Sequence, residues 1–141
     1  MGGNLIMAKI AWVKETDLQA QQLTNAFETK IAELKAACNA SIFNGFKSAS
    51  TGHEFGFNEL DQANFTQQLL LIVSKGGPAA YEGEIEWKTK AGGVESFTAS
   101  AFVTIINEAE QHKRDEQRKY WALEIQLKAA TTVDEIAAIK W

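Results

Sequence analysis

The chain has 141 residues, 45% of them apolar and 10% aromatic, with a formal net charge of -4. That length and composition support one domain with a real core and exclude a disordered chain. The acidic balance argues against a general nucleic-acid binder, and the lone cysteine, Cys38, rules out an internal disulfide.

Leu5 to Val13 is apolar but too short to cross a bilayer, and no basic segment precedes it as a secretory signal requires. Ile6 stands where a myristoylation signal needs Ser or Thr. No membrane insertion is expected. Met1 to Ile6 reads as an extension before a second start at Met7. Ile10 and Trp12 alternate loosely with Lys9, which suggests a short strand or a staple over residues 6–13.

Thr16-Asp17-Leu18-Gln19 has capping-box spacing and predicts the start of the first helix. Leu23, Phe27, Ile31, Leu34, Cys38 and Ile42 then form one stripe, and Asn44-Gly45 supplies the stop. Phe46–Ala49 and His53–Phe57 flank Ser50-Thr51-Gly52 as a hairpin, with His53, Phe55 and Phe57 on one face. Asn58 or Asp61 caps a second helix carrying Phe65, Leu69, Ile72 and Val73, which ends at Gly76-Gly77-Pro78.

Ile85, Trp87 and Thr89 alternate with Glu84, Glu86 and Lys88, the pattern of a half-buried strand. Ala91-Gly92-Gly93 turns the chain and Val94–Phe97 returns it. From Thr98 to Ala130 there is no Pro and no Gly, and Phe102, Ile105, Ala109, Tyr120, Leu123, Leu127 and Ala130 mark one helical face. About 30 residues at 1.5 Å each make a rod of roughly 45 Å, capped by Thr98 or Ser100. Its middle, Gln111–Lys119, is polar all round. That stretch either overhangs towards a partner or bridges two packed ends in solvent. Thr132-Val133-Asp134-Glu135 opens a last short helix, whose Ile136, Ile139 and Trp141 fold back on the rod.

The order predicts an α+β fold, with two long helices and one or two shorter ones packed on antiparallel β-hairpins. Residues 1–15 form the N-terminal extension or short strand, and 16–141 a single domain.

Chemistry is sparse. His53, His112 and Cys38 fall in three elements and have no metal-ligand partners at a recognised spacing. Cys38 lies on the apolar stripe and reads as a buried thiol, His53 as a packed or surface ring, and His112 as solvated. Gly92-Gly93 lacks the surroundings of a phosphate loop. Glu84 and Glu86 sit on the wet side of a strand. The sequons at Asn39 and Asn64 fall inside helices and are taken as chance. No catalytic, cofactor-binding or metal residue is nominated, no cofactor is expected, and an enzyme is not.

Several short motifs follow one another in a telling order. They are Phe55-Gly56-Phe57, Asp61-Gln62 opening a helix, the Trp87 strand, Phe97 before a long helix, Tyr120-Trp121, Ala129-Ala130-Thr131-Thr132, and the ending Ala137-Ala138-Ile139-Lys140-Trp141. Over roughly Ala32 to Trp141 this order resembles a domain family of unassigned function. The family occurs in small proteins encoded beside the tail-fibre and baseplate genes of long-tailed phages of Gram-positive bacteria.

The resemblance implies a non-enzymatic phage structural protein, an accessory component of the tail, baseplate or receptor-binding apparatus. It would reside in the virion tail or the infected host's cytoplasm, with other tail or baseplate proteins or a host protein as partners. The alternative is a tail-fibre assembly chaperone or host-interaction factor that is not retained in the virion. The polar interruption of the rod favours a monomer in isolation over a homotrimer.

Overall fold

Between Asn4 and Asn44 the chain has neither Gly nor Pro, and nothing in that run interrupts a helix. A computed structural model describes the backbone of residues 2–141 and the side chains of residues 14–141. In it α1 runs from Gly2 to Phe43. The helix therefore does not begin at Thr16, and the strand expected over residues 6–13 is helical backbone. Ile6, Ile10 and Val13 also recur at helical steps, so the loose alternation around Lys9 was the weaker of two periodicities. The extension assigned to Met1–Ile6 starts outside the described residues. The expected stop holds: Asn44 N donates to Ala40 O at 2.9 Å, and Gly45 takes φ +100°.

The remaining elements are β1 (Phe46–Lys47), β2 (Glu54–Phe55), α2 (Glu59–Ser74), β3 (Ile85–Lys88), β4 (Val94–Phe97), α3 (Ala99–Ala129) and α4 (Val133–Ala138). The fold is α+β. Two two-stranded antiparallel sheets pair Phe46 with Phe55 and Ile85 with Phe97. The chain divides into two compact units, Cys38–Lys119 and Met1–Ala37 with Tyr120–Trp141, with boundaries inside α1 and α3.

The unit Cys38–Lys119 is built on aromatic rings. Phe55 and Phe102 are fully buried, Phe46, Phe57, Phe65 and Phe97 nearly so, and Ile72, Ile85 and Ile105 are buried in the same unit. Phe65 stacks on Trp87 with centroids 4.8 Å apart and on Phe102 at 5.7 Å. Alternation along both hairpins turns these rings to one side, and α2 and α3 cover them.

Asn58 caps α2. Its side chain accepts from Asp61 N at 2.8 Å while Asp61 Oδ2 accepts from Asn58 N at 3.0 Å, so both candidate caps act as one box. Val73, expected on the buried stripe, is exposed, because the inward arc of α2 is centred on Phe65 and Ile72. Lys90 Nζ donates to Asn44 O at 2.6 Å, placing a cation on the carbonyl end of α1.

In the other unit, Leu34, Leu127, Ile136 and Ile139 form the core. Leu23, Phe27, Ile31, Tyr120, Leu123 and Trp141 pack against it half-buried. Thr132 caps α4 as expected, accepting from Glu135 N at 3.1 Å. The returning carboxylate reaches one residue further than a capping box requires, to Thr131 N at 2.7 Å.

Candidate functional site

A groove of about 520 Å³ lies between α2 and β3. Asp61, Asn64, Gln67, Gln68 and Leu71 recur at three- and four-residue steps and form its helical wall. Glu86, Trp87 and Lys88, three consecutive residues of β3, form the other. Trp87 is half-buried against Phe65, and Leu71 is largely exposed. Asp61 is committed to the cap of α2, and Gln68 Nε2 lies 3.5 Å from Tyr81 Oη. Among the described residues, the amides of Asn64 and Gln67 have no hydrogen-bond partner and remain open to a ligand. The groove thus combines an indole and a leucine with uncommitted amides and charges of both signs, a lining suited to binding.

A second, smaller groove of about 320 Å³ separates α2 from α3. Phe57, Phe65, Leu69 and Ile106 are its apolar lining, and Lys113 Nζ donates to Gln62 Oε1 at 3.0 Å on its rim. Val73, four residues on from Leu69, is exposed on the same arc of α2, and Leu70, the next position round the helix, is exposed as well.

The groups able to do chemistry are engaged elsewhere in holding the fold. Cys38 is buried, and its thiol lies 3.6 Å from Glu116 O. Burial, and then the Glu116 charge, raise its pKa, which opposes thiolate formation. His112, expected to be solvated, is half-buried. Its ring stacks on Phe46 with centroids 6.2 Å apart, and Nε2 lies 3.2 Å from Ser41 O. One face of the polar middle of α3 therefore meets α1 through His112 and the Glu116 carbonyl, while Gln111, Arg114, Asp115, Arg118 and Lys119 stay exposed. His53 meets Phe55 and Phe97 edge-on.

Ser48 is fully buried, and its hydroxyl donates to Glu108 Oε2, while Ser50 N donates to Oε1 at 2.8 Å. Burial would raise the Glu108 pKa, but the hydrogen bonds from Ser48 and Ser50 outweigh it and hold the carboxyl below its ordinary value. With no exposed surface, the Ser48 hydroxyl cannot meet a substrate. The pair is a clamp between the first hairpin turn and α3.

Glu84 and Glu86 are exposed on the wet face of the second hairpin, and Gly92, at φ +96°, makes its turn. Asn39 and Asn64 are exposed helical residues. Asn64 belongs to the larger groove, which its sequon did not signal. The useful sign was its three-residue spacing from Asp61 and seven-residue spacing from Leu71, which keep one helical face. No described helix is long and apolar enough to cross a membrane.

No curated protein and no solved structure matches the chain. Residues 25–140, most of the sequence, match a family described as a domain of unknown function, DUF4376, and the chain belongs to that family.

Proposed function

We propose that the protein is a non-enzymatic phage structural protein, an accessory component of the tail, baseplate or receptor-binding apparatus. One observation carries this reading. The ordered series from Phe55-Gly56-Phe57 to the closing Ala137–Trp141 resembles small proteins encoded beside tail genes. The commitment of Ser48, Cys38 and His112 to packing supports a binding role over a catalytic one. A partner would be another tail protein or a host protein, met by a protomer that is monomeric in isolation.

Gradient-purified virions analysed by quantitative peptide mass spectrometry, beside an infected-cell lysate, test the proposal. Recovery in fixed ratio to tail proteins is the expected result. Abundance in the lysate with absence from particles would overturn it.

A second reading is a tail-fibre assembly chaperone or host-interaction factor. The exposed Leu60, Leu70 and Val73 of α2 favour it, since transient clients are held on apolar surface. Loss from the particle would bring this reading forward.

A further inference from the structure

The occupant of the larger groove is specified by the strand that forms its wall. Thr89 N donates to Gly93 O at 2.8 Å, so the amides of Ile85, Trp87 and Thr89 point towards β4. Alternation turns Glu86, Lys88 and Lys90 the other way. Lys90 N confirms that direction by donating to Glu54 O at 2.8 Å. No such partner exists for Glu86 or Lys88 among the described residues, because β3 pairs with β4 alone. Their N–H and C=O groups form an unpaired edge. Consecutive residues of a strand point to opposite faces, so Glu86, Trp87 and Lys88 can all line one groove only if it runs along that edge.

We propose that this groove takes an extended polypeptide segment of a partner protein, which adds as a third strand to the outer edge of β3. The proposal rests on the reading of the chain as a binding protein, and not on where the partner resides. Its dimensions agree with a strand. Asp61 to Leu71 spans about 15 Å of helix, the length of four or five extended residues at about 3.3 Å each. Unpaired donors and acceptors on β3 supply affinity, and the side chains supply selectivity. Opposite Trp87 an apolar residue would rest on the indole and Leu71. Opposite Glu86 and Lys88, basic and acidic residues form complementary cross-strand pairs. An antiparallel segment therefore reads acidic, apolar, basic from its N-terminus.

The test is selection of random linear seven-residue peptides on the full chain, followed by NMR with the best clone as a synthetic peptide. Enriched clones should share the apolar residue and its charged flanks. Saturating peptide should slow amide exchange of Glu86 and Lys88 at least tenfold and leave Trp87, already in the ladder, unchanged. Lys88→Pro removes one outward donor and no ladder bond, so it should weaken binding at least tenfold while the melting temperature stays near the parent's. N-methylation of the peptide amides that face β3 should do the same without touching the protein. Failure to enrich any linear peptide, or binding indifferent to both Lys88→Pro and N-methylation, would overturn the proposal. So would protection of Glu86 and Lys88 that rises with protein concentration alone, because the edge would then pair with a second copy. Virion recovery is read separately, and either idea can fail without the other.

Discussion

Ser48 and Glu108 lie 60 positions apart, and the buried hydroxyl of one donates to the carboxylate of the other. The same carboxylate accepts from Ser50 N, so the Ser48–Thr51 turn is organised around an anion delivered by α3. Glu108→Gln places an amide nitrogen among donors. A loss of about 1–3 kcal/mol in urea unfolding at neutral pH is expected, with Ser48→Ala in the same range.

The pH dependence follows with a definite sign. The folded pKa of Glu108 lies below its ordinary value of 4.5, so the unfolded chain takes up this proton first as pH falls. The stabilisation is complete above about pH 4.5 and is lost as pH drops through the lower folded value. Unfolding curves of the parent and Glu108→Gln should therefore converge on acidification. A gap that stays constant down to pH 3 would show that the charge is not what the turn binds.

Glycine at position 45 is required by geometry. Its φ is +100°, and a Cβ there would stand 2.2 Å from Phe55 O, a backbone atom that cannot turn aside. Gly45→Ala should lose more than about 2 kcal/mol, from left-handed strain and a displaced β1–β2 pair. Gly52→Ala meets no atom within 4 Å and carries only the conformational penalty, so it should be the milder of the two. Paired urea titrations give the comparison directly.

Phe102 touches Phe65, Trp87 and Phe97 and is fully buried, while Val73 is exposed on α2. Phe102→Ala should lose about 3–5 kcal/mol, and Val73→Ser should stay within about 0.5 kcal/mol. Equal effects would mean that the α2 stripe read from sequence, with Val73 inside, was the right one.

That contrast shows what the sequence carries. Local signals were legible: the Asn58 and Thr132 caps, the Asn44-Gly45 stop, and the alternation that buries Ile85 and Thr89. Each is fixed by neighbours within four residues. Val73 was misplaced because a run of five apolar residues, Leu69 to Val73, leaves the inward arc undetermined until a partner selects it. His112 read as solvated because its neighbours are charged, and Phe46 lies in another element. The clamp and the groove join residues far apart in sequence, and no spacing rule encodes such pairs.

Cys38 should behave as a protected thiol. It is buried, and desolvation followed by the Glu116 charge disfavours its thiolate. Reaction with an aromatic disulfide reagent at pH 8 should be at least tenfold slower in the native protein than in denaturant. Equal rates would mean that α1 opens at Cys38 faster than the reagent attacks.

The last prediction concerns residues 14–22 of α1. Residues 14–22 are exposed, and among the described side chains of α1 Leu23 is the first that packs on the Leu34–Leu127–Ile136–Ile139 core. The family match begins two residues later, at 25. An exposed helical stretch gains little from its own propensity, since most helical stability comes from a packed face. Amide exchange over residues 14–22 should therefore be much faster than over 30–42. Leu18→Ser, at a side chain that is 56% exposed, should leave the melting temperature within about 3 °C of the parent's. Phe27→Ala removes a ring packed on the cluster, and it should lower the melting temperature by far more. If Leu18→Ser is already strongly destabilising, that side chain holds contacts that its exposure does not reveal.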